Sequence, residues 1–384
     1  MSTQRTLGIG IVGYGFIGKV HTLSYLNLPY YYSPMPVKLK MVGVCSGHIK
    51  NAEVGTRQAG FEFATDNYKD LIERDDIDII DICTPNYLHK DIIIDALSMG
   101  KHVMCEKPLA MNLAEAGEIL NAASAHPELV SQITFEYRYQ PAMMRAKKLI
   151  EEGLLGRIFS VRVAYLHSGY IDSNRPISWK LTKEYGGGGA LYDLSSHVID
   201  ITRFFLGDFK RVFARLETFI KKRPIPGRPG EFGEVEVDDL TLMMFELENG
   251  AVGTLESSRI ATGSNDEYRI EIHGGKGAIK FNSMQPNFLE VYDCRSSSEP
   301  IGGRRGFTAI ETVQRFPEPA IGFPGPKFSI GWMRPNIGNV FNFITNIAES
   351  RKPDADMYAG YKVQEVMEAC QISDKRGSWV DLPL

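Results

Sequence analysis

Three groups of residues in this chain have the types and spacing to do chemistry. Asp193 and His197 stand four residues apart behind four consecutive glycines, in the stretch GGGGALYDLSSH that begins at Gly186. On a helix that spacing projects both side chains from one face. A carboxylate and an imidazole so placed can hold a hydroxyl and accept its proton. Near the N-terminus Gly13-Tyr14-Gly15-Phe16-Ile17-Gly18 has the spacing G-x-G-x-x-G. In a strand–turn–helix context the first glycine makes the turn and the second admits a pyrophosphate to the backbone. The third lets helix pack on strand, and the free N–H groups of the helix start face the phosphates. Lys107 follows the apolar run HVMC in Glu106-Lys107-Pro108. Pro108 biases it to an extended backbone. Beside a cationic nicotinamide its ammonium is expected to lose its proton more readily, which suits a proton acceptor.

The elements around these groups are those the chemistry needs. GYGFIG follows an apolar strand and precedes a helix. KLKMVGVCS, DIDIIDICTPN and KHVMCEKP then read as strands apolar on both faces, with helices such as HKDIIIDALS between them. That alternation predicts a parallel sheet covered by helices, with LVSQITFEYR as its exit strand. Ligands on such sheets bind beyond the carboxyl ends of the strands. Thr84-Pro85-Asn86 and Glu106-Lys107-Pro108 both stand there. An acidic residue commonly closes the second strand and binds the adenosine ribose. Here that strand ends Val44-Cys45-Ser46. Ser46 can still bind a ribose hydroxyl, and His48, Lys50 or Arg57 can meet a 2′-phosphate, which leaves NAD against NADP open.

The rest of the chain changes character. A helix, PAMMRAKKLIEEG, and a strand, RIFSVRVAYLH, lead to the glycine tract and its helix. Strands then follow one another: FKRVFARLETFI, LTLMMFELE, AVGTLESSRIA, YRIEIHG, GAIKFN and FLEVYD. This pattern predicts a large, mostly antiparallel open sheet with helices on one side. LTLMMFELE is apolar on both alternating faces, so the second face is expected to meet another subunit. Residues 294–335, rich in Gly, Pro and Arg, read as a long irregular excursion. Two helices close the chain. The fold class is α/β, with a dinucleotide-binding domain over 1–135 and an α+β substrate and oligomerisation domain over 136–384.

Composition sets bounds. With 384 residues, 43% hydrophobic and 23% charged, the chain is ordinary globular material of two-domain size. A net charge of −4 and the lack of a basic tract argue against nucleic acid or an anionic membrane as partner. The opening residues enter a strand at once, so no secretory signal is expected. The five cysteines are scattered without a CxxC, as reduced, mostly buried thiols of a cytoplasmic protein. No third ligand at metal-site spacing accompanies Asp193 and His197, so no metal is expected.

With these residues in hand, the chain resembles the glucose–fructose oxidoreductase / inositol dehydrogenase / MocA family. GYGFIG, TPNYLH, CEKPLA and GGGGALYDLSSHVIDITRFFLG carry the resemblance, which spans essentially the whole chain. It implies a Rossmann domain followed by an open-sheet domain that assembles into dimers or tetramers. It also implies that Lys107 contacts the reacting hydroxyl, that Asp193 binds substrate and that His197 is catalytic. The cofactor set would be Gly13, Tyr14, Gly15, Phe16, Ile17, Gly18, Ser46, Thr84, Pro85, Asn86, His89, Glu106 and Lys107, with Asn86 and Glu106 lining the nicotinamide. Ser46 departs from the commonest acidic form. PISWKL, VEVDDLTLMMFELENGAVGTLESSR and SWVDLPL are similar to the branch of levoglucosan dehydrogenases and glycoside 3-dehydrogenases. That branch implies oxidation of a pyranose or glycoside ring hydroxyl, at C3, and tilts the cofactor toward NAD, with a tightly held NAD as one reading.

The expected reaction is hydride transfer from a sugar carbon in a cleft between the domains. His197 or Lys107 takes the hydroxyl proton, and Asp193 holds a neighbouring hydroxyl or orients the histidine. Arg138, with Tyr137, is read as cofactor or substrate contact or as hinge packing. Tyr170, Asp172 and Trp179 are candidates for a sugar face, His167 is read as peripheral, and Arg304 and Arg305 as reaching a neighbouring subunit. An inositol dehydrogenase, a sugar-to-sugar redox shuttle and a non-catalytic dinucleotide sensor are the competing readings.

Overall fold

The computed structural model describes residues 4–315 and 320–384. Its first part runs β1 (Thr6–Val12), α1 (Phe16–Tyr31), β2 (Lys38–Cys45), α2 (Ile49–Ala59), β3 (Phe63–Thr65), α3 (Lys69–Ile72), β4 (Ile79–Ile82), α4 (His89–Ser98), β5 (His102–Cys105), α5 (Leu113–Ala125) and β6 (Ser131–Ile133). The strands form a six-stranded parallel sheet in the order β3-β2-β1-β4-β5-β6. The chain runs outward from β1 to one edge, then resumes at β4 on the other side. The carboxyl ends of β1 and β4 therefore flank the switch point where such sheets take ligands. Leu7, Ile9 and Ile11 of β1 and Ile79, Ile80 and Ile82 of β4 are wholly buried, as strands covered on both faces must be. Asp81 breaks that apolar run and is equally buried.

The second part runs α6 (Pro141–Glu151), β7 (Ile158–Leu166), α7 (Lys183–Gly186), a π-helical turn (Leu191–Ser195), α8 (Ser196–Leu206), β8 (Phe209–Glu217), β9 (Lys222–Pro224), β10 (Phe232–Glu234), β11 (Leu240–Leu247), β12 (Val252–Ser258), β13 (Glu267–Gly274), β14 (Gly277–Asn282), β15 (Phe288–Asp293) and β16 (Thr308–Glu311). Then come α9 (Met333–Ala348), α10 (Met357–Arg376) and β17 (Val380–Asp381). The large sheet has nine strands, in the order β16-β15-β14-β13-β7-β12-β11-β8-β17. Its pairings are antiparallel except β7 with β12. Along β11 the expected alternation is clear. Met243, Phe245 and Leu247 are buried, while Leu242 and Met244 are 44% and 46% exposed. The buried face meets α10, whose Cys370 and Ser373 reach Met243 and the Ala214 amide. All five cysteines are free, and only Cys294 is exposed. Among the described residues no helix is long and apolar enough to cross a membrane.

Two expectations need correction. The excursion over 294–335 is not irregular throughout, because Thr308–Glu311 adds β16 to the sheet edge by pairing with β15. Residues 316–319 of that excursion lie outside the described residues. The domain boundary also moves. The first compact unit comprises Met1–Tyr139 together with Ile321–Gly325 and Trp332–Gln364, and the second comprises the remainder. The reason is the apolar face of α9. Ile337, Val340, Phe343, Ile344 and Ile347 belong to the same buried cluster as Leu7, Ile9, Tyr25 and Leu28. α9 and the segment after it also cover the edge strand β6: Gln132 Nε2 donates to Asn339 Oδ1 of α9 at 3.0 Å, and the Ile133 N–H donates to Ala355 O at 2.8 Å. An uncovered edge would leave those groups open to another chain.

Candidate active site

In the first unit the glycine motif behaves as its spacing demands. Gly13 has φ +100°, and a Cβ there would lie 2.5 Å from Cys83 O. A Cβ on Gly18 would lie 2.0 Å from Gly13 O, whereas one on Gly15 would meet nothing within 4 Å. Gly13 and Gly18 are thus needed by the fold, and Gly15 keeps space open beside the start of α1. That helix has no side-chain cap and no acidic residue in its first turn. Its leading N–H groups are left for an anion from outside the chain. Thr84 Oγ1, at the carboxyl end of β4, is buried with no hydrogen-bond partner. An uncapped helix start, an open glycine and an orphaned hydroxyl at one switch point fit a dinucleotide.

The motif's other side chains divide. Tyr14 is buried and packs edge-on against Phe61 at 6.2 Å, so only its backbone can serve a ligand. Ile17 packs on the same core cluster. Phe16 is 74% exposed, with the Trp332 ring 5.9 Å away. Ser46 is buried at the end of β2, and its N–H donates to Thr65 O. His48, Lys50 and Arg57 are exposed.

Asn86 is buried at the start of a short 3₁₀ turn after Pro85. Lys107 is half-buried. His89 is a strut, and this corrects its place among the cofactor contacts. It is wholly buried, with Nδ1 3.0 Å from Pro108 O and Nε2 3.1 Å from Thr84 O. It ties the TPN loop to the EKP loop from behind. Burial depresses its pKa against the smaller opposing pull of the two carbonyls. Arg138 also takes a structural place: it is buried, donates through Nη1 to Asp354 O at 2.7 Å and lies over the Phe135 ring.

Sequence reasoning missed a buried cluster beneath Glu106. His21 of α1 has Nδ1 2.9 Å from Asp81 Oδ1 and Nε2 3.0 Å from Glu106 Oε1. Cys83 Sγ stands 3.4 Å from the same Nδ1. The nitrogen and sulfur atoms and the Asp81 carboxylate lie within 4.8 Å of one another, the one such grouping among the described residues. Their separations are those of hydrogen bonds. The available signal was a lone aspartate in an apolar strand and a lone histidine on the helix after the glycines.

In the second unit the glycine tract answers first to its own fold. Gly187 has φ +75°, a Cβ on Gly188 would lie 2.3 Å from the Tyr192 ring, and one on Gly189 would lie 1.8 Å from Asp238 O. The Asp238 carboxylate accepts from the Gly189 and Leu191 N–H groups at 2.9 and 2.8 Å and from Thr241 Oγ1 at 2.8 Å. Two glycines therefore let the backbone meet protein, where ligand approach was expected. The helix that Asp238 caps opens with the π-turn and becomes regular only at Ser196. Asp193 lies on the π-turn, which corrects the simple α-helical spacing.

Each oxygen of Asp193 meets a cation: Lys180 Nζ lies 3.1 Å from Oδ1 and Arg259 Nη2 lies 3.2 Å from Oδ2. Arg259 is 2% exposed and also donates to Lys180 O, whereas the Lys180 side chain is 37% exposed. His197 is buried with the Tyr165 ring edge-on at 5.7 Å, and Tyr165 donates to Asp266. Tyr170 belongs to a small buried cluster with Leu181, Val235 and Val237, and the Arg259 guanidinium lies 5.0 Å from its ring. Trp179 is half-buried, with Lys180 Nζ 5.6 Å from its ring. Asp172 is exposed; its carbonyl accepts from the wholly buried Arg223, which also binds Tyr170 O. His167 Nδ1 accepts from the Gly169 N–H, a local turn contact. Arg304 and Arg305 are exposed, with Arg305 Nε donating to Ser296 O. Neither Lys180 nor Arg259 stood out in the sequence, because nothing in their surroundings distinguishes them from solvated cations.

Residues 7–133 match an oxidoreductase family with an NAD-binding Rossmann fold, and residues 143–280 match the GFO/IDH/MocA C-terminal domain. The chain is 36% identical over 391 residues to levoglucosan dehydrogenase of Pseudarthrobacter phenanthrenivorans, covering 99% of each chain. The chain belongs to the Gfo/Idh/MocA family. A levoglucosan dehydrogenase solved in complex with NADH and levoglucosan superposes with a TM-score of 0.94 at 36% identity, over 99% of this chain and 100% of that one. Glucose-6-phosphate 3-dehydrogenase of Bacillus subtilis is 25% identical over 94% of each. The chain is an NAD-binding oxidoreductase related to levoglucosan dehydrogenase. Ser46 is thus compatible with NAD despite the missing acid.

Proposed function

We propose that this chain oxidises a ring hydroxyl of a pyranose sugar or glycoside, at C3, to the keto sugar. The observation that carries the reading is the doubly held carboxylate of Asp193, one helical turn before His197, in a chain 36% identical to a levoglucosan dehydrogenase. The name of the second relative, a 3-dehydrogenase, supports the choice of carbon. Bound NAD supplies the hydride acceptor. The protein's part is position and proton transfer. Arg259, buried and fixed, holds the Asp193 carboxylate in place for a hydroxyl beside the reacting one. Lys180 is the more exposed partner and yields its place on Oδ1 to that hydroxyl. His197 accepts the proton of the reacting hydroxyl, and Lys107 polarises its oxygen. The sugar packs against Trp179.

The assembled protein is a homo-oligomer in which a second copy covers the exposed face of the nine-stranded sheet. Leu242, Met244 and Trp379 are 44%, 46% and 40% exposed there. The carbon is tested with levoglucosan or methyl glucoside deuterated at C3. Deuterium at C4 of the NADH formed supports the reading. Unlabelled NADH from an active substrate overturns it.

A further inference from the structure

The two nitrogens of His21 face two different carboxylates, Asp81 at 2.9 Å and Glu106 at 3.0 Å, inside the first unit. An ionised carboxylate only accepts hydrogen bonds. Only the doubly protonated ring donates to both. His21 is 1% exposed, Asp81 0% and Glu106 7%. The groups facing the ring are Asp81 and Cys83 from β4 and its end and Cys105 and Glu106 from β5 and its end, and Tyr25 from α1 faces Asp81 and Cys83. Burial pushes the imidazole toward its neutral form, but the neighbouring Asp81 carboxylate opposes it and the pKa is raised well above 6.5. Burial, then Asp81, pushes the Cys83 thiol up to about 12, so it adds no charge at neutral pH. The charged members are therefore two carboxylates and one imidazolium.

Glu106 directly follows β5, and its N–H donates to Ile82 O, which anchors it beside the carboxyl end of β4. The family resemblance puts the nicotinamide half of the dinucleotide at that edge of the switch point, where such sheets take ligands. The oxidised ring is a cation and the reduced ring is neutral. We propose that His21 is a positioning residue: clasped between Asp81 and Glu106, it fixes the Glu106 carboxylate so that its negative charge favours oxidised over reduced nicotinamide. A carboxylate without its imidazole partner is free to turn away, and the discrimination fades.

The test is a double-mutant cycle read in binding. Dissociation constants for NAD and for NADH are measured by titration on the wild type, His21→Gln, Glu106→Gln and the double variant, together with Tm. Glu106→Gln keeps an acceptor for His21 and removes the charge, so it should lower the preference for NAD over NADH by about tenfold. His21→Gln should move the preference the same way, and the double variant should go no further than Glu106→Gln alone. A His21→Gln protein with lowered Tm but the wild-type preference would reduce His21 to a structural role, and additive effects would show that it does not act through Glu106. If His21→Gln does not fold, a wild-type preference in Glu106→Gln overturns the proposal by itself. The inference rests on NAD binding and not on the sugar reading, so failure of the substrate assignment leaves this test intact.

Discussion

Two side chains here are held by pairs of opposite charge: His21 between carboxylates, and Asp193 between Lys180 and Arg259. Both arrangements fix a group in one place. Lys107→Met and His197→Ala should each cut turnover by about 10²–10⁴-fold with NAD affinity nearly unchanged. Steady-state kinetics with a binding titration checks this; loss of NAD binding alone would contradict the roles given. His21 also links stability to pH. Its folded pKa is raised, so its contribution is fully present below the unfolded value near 6.5 and is lost as pH rises through the folded value. The gap in Tm between wild type and His21→Gln should therefore narrow as pH is raised into the alkaline range, and a pH series of melts reads it. The residues proposed as catalytic stood out in the sequence because each sits in a motif whose residue types state a chemistry. Their partners were not. Asp81 and His21 lie 60 residues apart and meet only where α1 packs against β4, and His89 and Arg138 look like ligand contacts until the direction of their side chains is known.

At the scale of elements, the strand that feeds GYGFIG and the helix behind it were legible because apolar runs and glycine spacing both report local geometry. The π-turn was not. A π-turn leaves no hydrophobic period that one turn of sequence can reveal. Its cause lies 49 residues on, in the Asp238 carboxylate that caps Gly189. Gly189→Ala places a Cβ 1.8 Å from Asp238 O, a backbone clash that no rotamer relieves. We expect a loss of about 1–3 kcal/mol and a larger loss of turnover, because Asp193 is carried with the turn. Gly15→Ala, with nothing within 4 Å of the added carbon, should leave stability near wild type and weaken NAD binding instead. Denaturant melts beside NAD titrations separate the two.

At the scale of the whole molecule, α/β alternation followed by a run of strands announced the two kinds of sheet. The return of α9 to the first unit was invisible, since its amphipathic pattern says that a face is buried and not against what. The exposed face of β11 raises the question of assembly. Leu242→Glu with Met244→Glu should turn the oligomer into monomers without unfolding the chain, as light scattering after size exclusion would show; an unchanged mass would place the interface elsewhere. The most direct test of the whole account is NADH fluorescence from the purified protein given NAD and, in turn, levoglucosan, simple glucosides, glucose and inositols. A signal is expected with pyranoses or glycosides. A signal with inositols alone, or silence with every sugar while NAD still binds, would contradict it.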